Sequence, residues 1–276
     1  VLKIPQFCPW QYVFERLSNE GRSLGQPFTG FGNLDELEAL MPTGIFVDAG
    51  FYIKRFPNVY PYKDAHDGPL VARTLHEMCL SHLTQRDGLE QHDLYRIFVY
   101  DCPPLEKKLQ FPVSKRGIDF STTPTAMFRH SFHEALKSLR KVALRLGRLQ
   151  DMGGWRIKPV AMQAVLRGQR ELNSLTDKDF EYEIRQKGTD MRLGIDIASV
   201  AFKKQVDQII LVSGDSDFVP AAKLARREGI DFILDPMWHP HADDLHEHID
   251  GLRSMCPRPI VQQRPYPATP ARIGQV

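Results

Sequence analysis

The sequence predicts an α/β protein with a mainly parallel, doubly wound sheet. Two observations predict it: short apolar, β-branched runs alternate with stretches of helical spacing, and those stretches are long enough to make βαβ units. A third concerns the ends of the runs, four of which close on an aspartate: Asp48, Asp101, Asp215 and Asp235.

Gly44–Val47 is the first strand signal. Leu70, Leu75, Met78, Cys79 and Leu83 have the spacing of a helix over 70–83, and Tyr95–Tyr100 forms a second strand. From Phe132 to Leu149, the apolar residues Leu136, Leu139, Val142, Ala143, Leu146 and Leu149 predict one long helix, with Lys137, Arg140, Lys141, Arg145 and Arg148 as its basic stripe. Trp155–Val160 reads as a third strand, Asp190–Phe202 as a helix, Gln208–Val212 as a strand, Val219–Glu228 as a helix and Asp231–Leu234 as a strand.

Around this core, residues 1–40 read as an N-terminal extension with a short helix near 35–41, and 41–252 as the main domain. Residues 253–276 read as a Pro-rich, disordered tail, since five prolines fall in the last 20 residues. Either end could hold a homodimer contact or a protein partner. No apolar run approaches the roughly 20 residues of a membrane span, and the first residues lack the pattern of a signal peptide. Four scattered cysteines with no C-x-x-C pair argue against a zinc ribbon or a disulfide scaffold. A reducing, cytoplasmic setting is the expectation.

The net charge of +2 conceals an asymmetry: between Cys102 and Gln150 there are ten Lys/Arg against three acids. Such a local excess is the footprint expected of a site for a polyanion, with a solvated surface as the alternative.

In an open parallel sheet, ligands bind beyond the carboxyl ends of the strands. Single aspartates there are common turn and capping residues; several on one rim repel one another and call for cations. Oxygen ligands suit Mg²⁺ or Mn²⁺. Asp190 and Asp196 lie on or beside the apolar face of the 190–202 helix, where a charge is costly unless paired or metal-bound. As structural roles, Asp190 could be the cap of its helix and Asp196 a buried partner for a backbone or basic group.

Four segments carry a specific resemblance. Phe46-Val47-Asp48-Ala49-Gly50-Phe51, Val99-Tyr100-Asp101-Cys102-Pro103-Pro104, Lys187-Gly188-Thr189-Asp190 with Asp196 beyond, and Val212-Ser213-Gly214-Asp215-Ser216-Asp217-Phe218 together resemble the NYN domain family of PIN-like, metal-dependent ribonucleases. The resemblance implies a PIN-like three-layer sandwich around a central, mainly parallel sheet. It also implies catalytic, metal-binding carboxylates at Asp48, Asp190, Asp215 and Asp217, with Asp196 accessory. Many members carry Asn three residues after the first Asp, where this chain has Phe51.

The chemistry expected is phosphodiester hydrolysis, with the carboxylates holding divalent ions that activate water and neutralise the leaving oxygen. Asp101 and Ser213 are accessory candidates at the strand ends, and Lys187 a phosphate contact beside them. Ordinary turn hydrogen bonds explain Ser213 and Thr189 equally well. RNA is the expected substrate, DNA a possible one, and the basic residues 137–148 the expected binding surface. The alternative is a nucleic-acid-binding module on the same fold without meaningful catalysis. A transition-metal site in 239–248 fits poorly, because His246 and His248 are two apart and diverge on a helix. An aspartyl-nucleophile phosphatase would need a second Asp at the position of Gly50.

Overall fold

The computed structural model describes residues 42–84, 93–241 and 243–259. The expected N-terminal extension, its short helix and most of the tail lie outside these residues. The chain runs β1 (Thr43–Asp48), α1 (Ala49–Val59), α2 (Gly68–Ser81), β2 (Leu94–Asp101), β3 (Lys108–Gln110), β4 (Gly117–Asp119), α3 (Pro124–Ser138) and β5 (Val142–Leu146). There follow β6 (Arg148–Ile157), α4 (Pro159–Leu166), β7 (Phe180–Lys187), α5 (Thr189–Phe202), β8 (Gln208–Val212), α6 (Val219–Arg227), β9 (Asp231–Asp235), α7 (Asp243–His246) and β10 (Gly251–Leu252).

Six strands form a parallel sheet in the order β10-β9-β8-β1-β2-β5. Side chains alternate across it, so one strand feeds two cores. Ile45 and Val47 pack with α1, α2 and α3, whereas Phe46 faces α5 and α6. This is the expected three-layer α/β sandwich with a parallel centre. From β1 the chain winds outward through β2 and β5 in one direction, then through β8, β9 and β10 in the other. The topological switch point therefore lies between β1 and β8, whose register pairs Val47 with Val212.

Two sequence expectations fail. The helix expected over 132–149 ends at Ser138: Leu139 is extended at φ −83°, ψ 137°, and Lys141 turns through φ 59° before Val142 enters β5. Val142, Ala143 and Leu146 satisfy the helical spacing, but Val142 pairs with Ile97 at the edge of the sheet. The sheet's open edge beside β2 overrides the periodicity. No basic helical stripe exists across 137–148. Lys137 pairs with Glu134, and the Lys141 ammonium donates to the Leu94 carbonyl. Arg145 pairs with Asp196 at 3.3 Å and lies over the Phe98 ring.

The strand expected over 155–160 also differs. Trp155–Ile157 ends β6, which pairs with β7 in an antiparallel ribbon outside the main sheet, and Pro159 opens α4. Cys79, Cys102 and Cys256 are buried and free. Among the described residues, no helix is long and apolar enough to cross a membrane.

Candidate metal centre

A cleft of about 620 Å³ opens over the carboxyl ends of β1 and β8, at the switch point. Asp48, Asp190 and Asp215 all line it, with Ser213, Gly214, Ser216, Thr189, Tyr100, Gln186 and His239. Three different local structures deliver the carboxylates. Asp48 caps α1, its carboxylate accepting the Phe51 N–H at 3.1 Å. Asp190 sits in the first turn of α5, entered through Gly188 at φ 83°. Asp215 caps the short turn Ser216–Phe218 and accepts the Asp217 N–H at 3.1 Å. Capping is thus a true role for Asp48 and Asp215, and it aims both at the cleft.

The carboxylates sense one another. Burial pushes Asp48 up to about 6, and the charge of Asp190 adds to the rise, while the Phe51 N–H opposes it. Asp190 is also raised, first by partial desolvation and then by Asp215 and Asp217. Such a set costs free energy in the absence of a cation, and its oxygens match hard divalent ions. The donor chemistry therefore fits Mg²⁺ or Mn²⁺. Among the described residues, no three His, Cys, Asp or Glu groups stand close enough to hold an ion without adjustment.

The remaining sequence candidates fall elsewhere. Asp217 adds charge to Asp190 but lies outside the cleft lining. Ser213 is buried and accepts the Asp215 N–H at 3.3 Å, the ordinary turn bond. Asp196 accepts the Tyr100 hydroxyl at 2.8 Å and pairs with Arg145, so it steadies a tyrosine of the cleft wall. Asp101 is outside the cleft lining, buried between His133, at 2.8 Å, and Arg129, though its charge still adds to the rise at Asp48. Burial alone would raise it, but these partners outweigh that and hold it below the usual carboxylate range. Asp235 is likewise buried against His82 at 2.9 Å. Of the four strand ends, two face the cleft and two hold the fold together.

Lys187 pairs with Arg148 in the register of the ribbon, where β7 runs into Gly188 and α5. Lys137, Arg140 and Lys141 cluster instead around the end of α3 and the turn into β5, and none of the five basic residues lines the cleft.

Sequence reasoning missed the helical wall of the cleft. Phe51, Lys54, Arg55 and Asn58 line it from α1, at the i, i+3, i+4, i+7 spacing of one helix face. That spacing after Asp48 was the available signal. Arg55 donates to the Met237 carbonyl at 2.9 Å, while its buried Nε meets no acceptor among the described residues. As a residue of the cleft lining, Arg55 brings positive charge to a wall that otherwise carries carboxylates. His239 completes the wall, its ring edge-on to Phe51 at 6.0 Å.

The family model of the NYN domain matches residues 159–245, a span that holds Asp190, Asp215 and Asp217 but not Asp48. No curated protein matches the chain. A solved structure of a protein of unknown function from Vibrio parahaemolyticus RIMD 2210633 is similar at 14% identity, covering 79% of this chain and 94% of that one with a TM-score of 0.38. Over residues 159–245, then, the chain is similar to the NYN domain, the family that its aspartate motifs also resemble.

Proposed function

We propose that the chain is a metal-dependent endoribonuclease whose centre is the cleft between β1 and β8. The observation that carries this reading is the convergence of Asp48, Asp190 and Asp215 on one cavity at the topological switch point. The match of residues 159–245 to the NYN domain model supports it.

Asp48, Asp190 and Asp215 would hold Mg²⁺ or Mn²⁺, with Asp217 adding negative charge nearby. A bound divalent ion supplies an acidified water and neutralises charge on the leaving oxygen. Lys54 and Arg55 face the same cavity and would fix the phosphate by charge, and Asn58 offers amide hydrogen bonds one turn further along. Arg148 and Lys187, at the end of the ribbon, would neutralise flanking phosphates.

A second reading, a binding module without catalysis, draws on the Phe51 ring in the cleft wall and on carboxylates not gathered into a ready-made ion site. Labelled RNA and DNA strands incubated with Mg²⁺, Mn²⁺ or EDTA separate the readings. The nuclease reading expects cutting that EDTA stops and that Asp215→Asn lacks. Binding without cutting in every metal would replace it with the module. Cytoplasmic action is part of the proposal, and cell fractionation checks it.

A further inference from the structure

A second hollow, of about 290 Å³, lies beside the cleft and shares Gln186 with it. Its walls come from three places. Pro103, Pro104 and Leu105 follow β2, Thr123, Thr125, Ala126 and Arg129 belong to the start of α3, and Tyr182, Ile184 and Leu149 come from the ribbon, with Phe120 between.

Its chemistry is unlike that of the cleft. Among the described residues, no carboxylate lines it. Phe120 and Tyr182 are tilted 42° to one another with 5.8 Å between ring centres, and Trp155 lies against both, at 6.1 and 5.4 Å. All three rings are half-buried rather than sealed in a core. The Lys107 ammonium lies 5.5 Å over the Tyr182 ring and donates to its hydroxyl at 3.1 Å, which fixes that ring. Thr125 and Gln186 add hydrogen-bonding groups to an otherwise mostly apolar lining, whereas Arg129 is held by Asp101 and the Thr123 hydroxyl by the Phe120 carbonyl and the Ala126 N–H.

We propose that this hollow takes one unpaired nucleobase of the strand whose phosphate lies at the aspartates. The inference rests on the nucleic-acid reading of the cleft. Continuity supplies the first argument: Gln186 touches both cavities and stands only four residues before Asp190, a span of at most about 14 Å. Shape supplies the second, because the volume is at the lower end for small-molecule sites, roughly 300 Å³, and suits a single ring system. Aromatic faces with a few polar groups at the edge are what an unstacked base recognises. A base held there has left its duplex or never had one, so the site selects single strands.

The test uses the whole chain with a short single-stranded RNA in Ca²⁺ in place of Mg²⁺, carrying 2-aminopurine at successive positions. The expected result is quenching confined to one position. An abasic residue at that position weakens binding by roughly 5- to 150-fold, the range for loss of one base–aromatic stack. Thr125→Trp fills the hollow from an exposed helical position; it should show the same loss with the intact strand and no further loss with the abasic one. Met127→Trp, exposed and outside the lining, should bind as the native chain does. Quenching at every position alike, native affinity for Thr125→Trp, or no strand binding at all would overturn the proposal. Cutting in Mg²⁺ or Mn²⁺ is followed in parallel. Position-specific quenching without cutting removes the nuclease reading and keeps the base site, whereas cutting without it does the reverse.

Discussion

The ring of Phe51 lies so close to Gly214 that a Cβ built on the glycine would stand 3.0 Å from the ring's Cε2. The same residue gives its N–H to Asp48 and meets His239 edge-on. One residue thus joins the end of β1 through its backbone N–H and the turn after β8 and the loop after β9 through its ring, the three segments framing the cleft. A Cβ at position 214 would press on the phenylalanine, whose ring would have to give by a few tenths of an ångström.

Gly214→Ala should therefore cost about 1–3 kcal/mol, the usual penalty for overpacking a fitted site. Phe51→Leu in the same chain should recover part of it, because the smaller side chain frees the space. Urea unfolding of both single variants and the double variant measures the coupling. Strict additivity would show that the two residues do not meet.

Asp101 offers a contrast at the end of the neighbouring strand. It is buried with Arg129 and His133, so Asp101→Asn leaves a guanidinium partly stranded at a cost of roughly 3–5 kcal/mol. Its folded pKa is lowered, so its contribution is present above the ordinary carboxylate value and is lost as pH falls through the lower folded value. Denaturant midpoints followed from pH 7 down to acid check both statements. A loss of cutting without a loss of stability would instead return Asp101 to the chemistry.

That contrast marks what was legible in the sequence. Strands such as Gln208–Val212 and the helix after Gly188 were readable because local pattern and final environment agree. Asp48, Asp190 and Asp215 were readable because strand ends and helix starts fix where a side chain emerges. Asp101 and Asp235 have the same local sequence context as Asp48, but their partners are 28 to 153 residues away, and only the packed layers bring them together. The basic residues failed for a related reason. Apolar spacing through Val142 and Leu146 fits a helix, and the vacant edge beside β2 decides for a strand.

The corrected placement of the basic residues changes which of them should matter for RNA. Arg148 and Lys187 stand paired at the end of the ribbon leading to Asp190, while Lys137 is tied to Glu134 on α3, in the layer opposite α5. Arg148→Gln and Lys187→Gln should each weaken single-strand binding and flatten log K against log salt by about 0.7. Lys137→Gln should leave both unchanged. Titrations between 50 and 200 mM salt, roughly the range over which such contacts separate, measure the slopes. Equal effects from all three would mean diffuse attraction rather than a path to the cleft.

The last expectation concerns Asp48 in the metal-free protein. Its folded pKa is about 6 against an ordinary 3.8, so between those values the folded chain keeps a proton that the unfolded chain releases. Stability from this group is therefore highest below the ordinary value and falls as pH rises, the loss being complete above about 6. Asn at the same position still caps α1 but carries no charge to bury or to oppose Asp190. In EDTA, Asp48→Asn should be the more stable protein at pH 7, and its advantage should shrink towards pH 4. Saturating Mg²⁺ should then raise the urea midpoint of the native chain at pH 7, because an ion that binds only the folded state stabilises it by mass action, and should raise that of the variant much less. If the two proteins unfold alike at every pH and respond alike to Mg²⁺, Asp48 neither bears the electrostatic cost of the cleft nor holds its ion.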